Sequence, residues 1–359
     1  MLMDLISGLN NDVGRECLIR LPYDTFCSAT SVCKTWKSEV ELPEFWRRRR
    51  DAGMTQRLIV MTQARVDPTR KRGGVKNSGV PAYRLTVCEP GSVSWTELPL
   101  LPGHLNGLPM FCQLAAVGLN LVVMGGLDPV TWDASTEVFV YNFVSATWKR
   151  GANMPGCPRS FFACASDSRM VFVAGGHDCE KNALKSAMVY DVADDKWVPL
   201  PDMASERDEC KGVFHLGKFH VIGGYPTESQ GRFGRSAEAF DVATWQWDEV
   251  CENFLEAATC PRSYVDNGEG NVYKWSSSSG EIMMTDDSST WQVVAELPSE
   301  VLTSTHMTAW QEKLMVIGSH RFGEPHKVYT LDLKNRKWTK VAAPEEHSGH
   351  VQSSCLLEI

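Results

Sequence analysis

Paired glycines close three apolar runs, at Gly125-Gly126, Gly175-Gly176 and Gly223-Gly224, and a tryptophan follows each pair at Trp148, Trp197 and Trp247. The pairs lie 50 and 48 residues apart and the tryptophans 49 and 50 apart. A period near 50 is one sheet-sized supersecondary unit stacked many times. Such a unit cannot bury its apolar faces alone, and a radial β-propeller stacks the units without leaving free sheet edges.

The repeats align without gaps over residues 109–126, 159–176 and 207–224. In the second, residues 161–165 read as the innermost strand and 170–174 as the next, continuously apolar because both of its faces are covered. The glycines end that strand where little room is left for a side chain. A third strand carries Tyr141, Tyr190 or Phe240, each 7 residues before its tryptophan. Two degenerate units follow: Met284 to Trp291 keeps the interval, with Ser277-Ser278 near the Gly-Gly position, and Tyr329 to Trp338 follows Gly318-Ser319. A partial unit comes first, with 58–61 as second strand, 83–87 as third and Trp95 opening the fourth. It lacks an innermost strand, which residues 351–357 can supply. The expected fold is mainly β, a six-bladed ring closed by the C-terminal strand. Tryptophans that recur in every unit are assigned to packing between blades rather than to a ligand cage. Paired glycines, an aromatic and a spaced tryptophan at this period resemble the kelch repeat, and the resemblance covers residues 54–359.

Residues 1–53 read as a separate helical unit. Asp12 is placed as the cap of a helix whose Val13, Cys17, Leu18 and Leu21 share a face; Pro22 breaks it and Asp24 caps a second. There Phe26, Ala29, Cys33, Trp36 and Val40 recur at three and four residues, with Val32 beside them, and Pro43 opens a short third helix carrying Phe45 and Trp46. Fifty residues make too small a core alone, so part of this apolar face is expected against a partner. The strings Cys17-Leu18-Ile19-Arg20-Leu21-Pro22 and Val32-Cys33-Lys34-Thr35-Trp36 resemble an F-box, with Asn10 where that family commonly has proline after Leu9. The resemblance implies that Leu9, Val13, Cys17, Leu18, Leu21, Pro22, Val32, Cys33 and Trp36 form or support the surface that enters a Skp-type adaptor, and through it a cullin ubiquitin ligase. The mode would be helix-in-groove, with Lys34 and Lys37 at the rim.

Residues 1–53 hold 8 basic and 8 acidic side chains, so the net charge of −8 falls wholly on the rest. That balance is no electrostatic footprint for nucleic acid. Twelve cysteines without a CxxC pair read as reduced thiols, which places the chain in the cytosol or nucleus. The first residues do not read as a signal peptide, and no run reaches the about 18 apolar residues of a membrane span. Arg47 to Arg50 read as a solvated helix end in preference to a nuclear signal. The loop 67–81, with Arg70, Lys71, Arg72 and Lys76 among glycines, reads as a solvated linker. No His-Glu-x-x-His, Gly-x-Ser-x-Gly or phosphate-loop pattern occurs, and 286–291 reads as a β-turn rather than an Asp-box. No catalytic residue, cofactor or metal ligand is assigned.

If strands alternate in direction, the connections from second to third strand and from blade to blade emerge on one face. Their lengths vary there: 14, 13 and 15 residues separate the second glycine from the aromatic in the three clear repeats. A rigid scaffold carrying variable loops is how binding surfaces are built. That face is expected to carry Arg159, Arg207 and Arg262 with His177, Asp178, Tyr225, Arg232, Arg235, His320 and Arg321. The three arginines stand open between gripping a target's carboxylate or phosphate and bracing the loops. As a whole the chain is similar to plant kelch-repeat F-box proteins, which implies a non-catalytic receptor that holds a target protein close to a ubiquitin-conjugating enzyme. Some members of that group direct turnover of phenylalanine ammonia-lyase and others of cytokinin response regulators. A scaffold without ubiquitin transfer and a small-molecule sensor are the alternatives.

Overall fold

A computed structural model describes residues 5–66, 81–92, 94–267, 270–276, 279–285 and 290–359. The basic loop at 67–80, Ser277-Ser278 and most of the turn at 286–291 lie outside the described residues. Six four-stranded antiparallel sheets form the ring. In blade one the innermost strand is Val351–Glu358, followed outward by Arg57–Ala64, Tyr83–Cys88 and Trp95–Glu97. The chain's end therefore closes the ring, pairing from Arg57 with Glu358 to Gln63 with Val351.

Blade three shows how the repeat works, with strands Ala163–Ser166, Met170–Ala174, Ala187–Asp191 and Lys196–Leu200. Its innermost strand starts two residues later than expected, because Phe161 takes a left-handed φ of 54° that no strand can pair through. Both glycines of the pair have positive φ, and a methyl group on either would strike backbone: 2.5 Å from the Arg207 carbonyl at Gly175 and 2.4 Å from the Ser160 carbonyl at Gly176. The constant 7-residue interval is a cross-strand contact: Trp148, Trp197 and Trp247 sit opposite Tyr141, Tyr190 and Phe240, with ring centroids 5.0, 5.0 and 5.3 Å apart. Each indole N–H then donates to the preceding blade, Trp148 to Pro99 O at 3.1 Å, Trp197 to Ala152 O at 2.9 Å and Trp247 to Pro201 O at 2.7 Å. Trp95 does the same to Ala342 O at 3.1 Å, across the closure.

Blades five and six depart from the sequence expectation. Leu331, not Tyr329, faces Trp338 across the strands. In blade five the outer strand is Gln292–Glu296. Trp291 precedes it and packs on Tyr264 at 5.6 Å, with the Lys274 ammonium 4.3 Å from its ring.

Four helices precede the ring: α1 Asn11–Ile19, α2 Phe26–Val32, α3 Lys34–Val40 and α4 Pro43–Asp51. Asn10, rather than Asp12, caps α1, accepting from Val13 N at 2.8 Å. Asp24 lies in a 3-10 turn, Tyr23–Thr25, and makes no cap. The expected single second helix is two, because Cys33 is fully extended (φ −158°, ψ 163°) and its sulfur accepts from Trp36 N at the start of α3. The expected shared face of α1 also splits: Gly14 and Leu18 turn inward, while Val13 and Cys17, one turn apart, face solvent.

The inward side chains do not make a separate core. Leu18, Ile19, Phe26, Val40 and Phe45 are continuous with Leu58, Tyr83, Leu121 and Phe143 of blades one and two. Full burial of such a side chain contributes about 1.5–3 kcal/mol. The basic run is not simply a solvated helix end. Arg49 is 1% exposed, with its guanidinium 5.0 Å from the Phe26 ring, donating to Ile19 O, to Leu21 O at 2.7 Å and to Gln56 Oε1 at 3.1 Å. Arg47 and Arg48 pair with Glu44 on the surface.

Two outcomes follow from the closure. Deleting residues 351–359 exposes the apolar strand Arg57–Ala64, so the truncated chain should aggregate on size exclusion; an undisturbed peak would contradict closure by pairing. His306 Nε2 meets Ser354 Oγ of the closing strand at 2.7 Å, and burial holds its pKa at about 3, as it holds His220 at about 4. Both lie below the unfolded value of about 6.5, so the unfolded chain binds more protons as pH falls. Stability is complete above about pH 6.5 and drops by up to about 1.4 kcal/mol per pH unit per imidazole below it. Thermal melts at pH 7 and pH 5 should show the fall, less steep in His306→Gln.

Candidate functional site

The helical unit and the variable loops occupy opposite faces of the ring. Helix-side contacts fall on the turns of blade two: Leu119, Phe143, Val144 and Ala146 join its cluster, Tyr23 meets Phe143 edge-on at 6.2 Å, and the Cys27 thiol donates to Ser145 O at 3.4 Å. These turns join the first strand to the second and the third to the fourth. Connections from second to third strand and from blade to blade emerge on the other side.

On the helical side, the ring covers only part of the apolar surface. Val32 is 63% exposed, Val13 44% and Leu9 37%, and Cys17, Pro22 and Cys33 are exposed as well. Leu21 and Trp36 are half-buried, the Trp36 indole donating to Leu5 O at 2.6 Å, and Leu18 is wholly buried. Of the nine sequence candidates, these last three are buried or half-buried and the other six face solvent.

On the loop side, Arg159 and Arg207 are each 3% exposed, which removes them from any surface. Both brace their own blade. Arg159 donates to Gly175 O and Ser186 O, each at 3.2 Å, and to Ser186 Oγ at 2.9 Å. Arg207 repeats the pattern at Gly223 O, Ser236 O and Ser236 Oγ and adds Glu238 at 3.0 Å, a carboxylate 1% exposed. Tyr225 is also buried, donating to Glu209 at 3.0 Å, and His177 pairs with Asp208 at 2.9 Å. Asp178 closes its own loop, accepting from the backbone of Glu180 and Asn182 at 2.9 Å. Arg232, Arg235, Arg262, His320 and Arg321 remain exposed. Arg262 escapes the brace role by pairing with Glu209 at 2.6 Å, 5.5 Å above the Phe161 ring.

Sequence reasoning missed the aromatics of this face. Phe111 and Phe161, at the third position of their aligned segments, pack with ring centroids 4.9 Å apart and planes tilted by 42°, and both line a central cavity of about 530 Å³. Both adopt left-handed backbone, φ 59° and 54°, as does Glu209 at the same position of the next repeat, φ 49°. Trp132, Val130 and Phe322 are 56%, 79% and 90% exposed on the loops after the second strands. An aromatic just ahead of the innermost strands of blades two and three was the available signal, and the sequence expectation places Phe161 inside its strand.

The fold and its two surfaces define a propeller receptor fused to a helical docking module. The Kelch motif family matches residues 111–155 and 158–204, and the F-box domain family matches residues 6–48. F-box/kelch-repeat protein At1g15670 of Arabidopsis thaliana is 49% identical over 99% of this chain and 100% of its own length. F-box/kelch-repeat protein At1g80440 is 48% identical over 99% and 100%, and SKIP20 is 29% identical over 96% and 94%, both from the same plant. The chain belongs to the plant F-box/kelch-repeat proteins. An F-box implies docking to a Skp-type adaptor and a kelch propeller implies capture of a target protein, a substrate-receptor role in general; the family is typically non-catalytic.

The brace assignment is checked by two substitutions. Arg207→Ala leaves Glu238 charged and buried without its partner, and should lose about 3–5 kcal/mol in denaturant melts. Arg262→Ala breaks an exposed pair and should lose less than about 1 kcal/mol. Equal losses would contradict the distinction.

Proposed function

We propose that this protein is the substrate-recognition subunit of a Skp-cullin-F-box ubiquitin ligase in the cytosol or nucleus, with residues 1–53 as docking unit and 54–359 as capture unit. The observation that carries the reading is an incompletely covered helical unit: its inner side chains merge with the ring, while Leu9, Val13, Cys17, Val32 and Cys33 are left in solvent. Exposed apolar side chains on an otherwise well-packed unit mark an interaction surface. They suit apolar anchors in an adaptor groove, with Lys34 and Lys37 at a polar rim. Catalysis by such a subunit is proximity: a captured lysine is held near the conjugating enzyme's thioester, and no residue of this chain reacts. Phenylalanine ammonia-lyase and type-B cytokinin response regulators are the two targets carried forward, on the strength of the likeness to plant relatives alone.

Val32→Asp tests the docking surface without touching the core. The variant should melt with the wild type yet lose at least about tenfold in adaptor affinity by calorimetry, about 1.4 kcal/mol. Undiminished binding would favour a scaffold independent of ubiquitin transfer. Reconstituted ubiquitination of each candidate target, with wild type and Val32→Asp, separates docking from target choice.

A further inference from the structure

Among the described residues, the central cavity contains one charged side chain with no oppositely charged partner. It continues inward into a second chamber of about 330 Å³, and Lys211, Gly212, Cys164 and His306 border both. Three carboxylates line the two chambers, and each has a cationic or imidazole partner: Glu209 with Arg262 at 2.6 Å, Glu256 with Lys274 at 2.8 Å and Asp266 with His215 at 3.4 Å. Lys211 has none. Its side chain is half-buried and lines the cavity, and no hydrogen bond or ion pair reaches the ammonium among the described residues. The placement is built in. Gly212 allows the strand bearing Lys211 to press on its neighbour, since a methyl group there would lie 2.6 Å from Cys164 N.

A half-buried ammonium with no acidic partner loses hydration that nothing offsets, which is costly for folding. The opening is costly too, because left-handed backbone at a bulky Phe, as at Phe111 and Phe161, is strain of about 1–3 kcal/mol per residue. The left-handed backbone recurs at Glu209 and belongs to the repeat, whereas a cavity walled by aromatic and apolar side chains with one uncompensated charge has the make-up of a binding site rather than of a core. The two phenyl rings offer an apolar platform at the mouth, and the ammonium waits below it.

We propose that the loop-face mouth of the channel is a subsite for a projecting segment of the target in which an anionic side chain adjoins an aromatic or apolar one. Lys211 receives the anion and Phe111 with Phe161 receives the apolar group. This deepens the substrate-receptor reading and rests on it for the identity of the occupant as a target protein. Charge complementarity fixes the occupant's sign: an acidic group gains the partner that no wall residue provides.

The test uses the full chain and two matched probes, acetyl-Phe-Asp-amide and acetyl-Phe-Asn-amide, with inorganic phosphate as a third arm for a free anion. In thermal-shift titrations the aspartyl probe should bind at least about tenfold more tightly than the asparaginyl one. Lys211→Met should abolish that preference, and without ligand should melt at or above the wild-type temperature, since it removes an unpaired charge. Equal binding of the two peptides, an unchanged preference in Lys211→Met, or a destabilised Lys211→Met would overturn the assignment. Phosphate alone binding as tightly as the aspartyl probe would overturn the role given to the phenyl rings. None of these readouts involves the adaptor, so failure here is distinguishable from failure of the docking surface, which Val32→Asp reports.

Discussion

One side chain, Gln56, sits where three parts of the molecule meet, and the relation between the two binding faces depends on it. Its carbonyl oxygen accepts from Tyr23 N at 2.7 Å and from Arg49 at 3.1 Å, and its amide donates to Glu89 of blade one at 3.0 Å. Its backbone exchanges both hydrogen bonds with Ile359, the residue that follows the closing strand. Helical unit, first blade and ring closure are therefore fastened at one point. Arg49 makes the fastening rigid: burial lowers its pKa to about 10, leaving it charged at neutral pH, and it satisfies backbone carbonyls rather than a carboxylate. Losing such a partner leaves buried acceptors unmet at about 1–3 kcal/mol each.

A rigid joint has a functional consequence. A receptor that works by proximity must present its captured protein at a fixed distance and angle, and a loosely tethered docking unit would dilute that advantage. Here the helices share a core with the turns of blade two, while the variable loops open on the far side of the ring. In the proposed function, adaptor and target bind on opposite sides of the wheel. The indole hydrogen bonds from blade to blade, closed by Trp95 on Ala342, resist distortion of the ring between them.

The sequence disclosed the repeat and the six blades because they rest on local patterns, Gly-Gly against a carbonyl and an aromatic opposite a tryptophan, and the closing strand because the first unit lacks an innermost strand that residues 351–357 can supply. It misjudged residues whose role depends on what lies beyond their own strand. Arg159, Arg207 and Arg262 were all expected to open innermost strands, yet two are braces and one is a surface group. The difference lies in whether carbonyls such as those of Gly175 and Ser186 are there to receive the guanidinium. Trp338 kept its place with Leu331 opposite, since packing area rather than ring chemistry fills that site. In the helical unit, periodicity found the apolar residues but not the break at Cys33, where a sulfur cap replaces a turn of helix. The six adaptor candidates left in solvent were found by likeness to a family, whereas their exposure followed from packing against the ring. Lys211 carried no sequence signal, because an unpaired charge is defined by partners it does not have.

The most direct measurement is amide hydrogen exchange of the full chain with and without a Skp-type adaptor. Docking opposite the capture face should protect residues 9–17 and 32–37 and leave 109–113, 159–163 and 225–235 unchanged. Protection of the loop face, or none at the helical positions, would contradict the two-sided receptor.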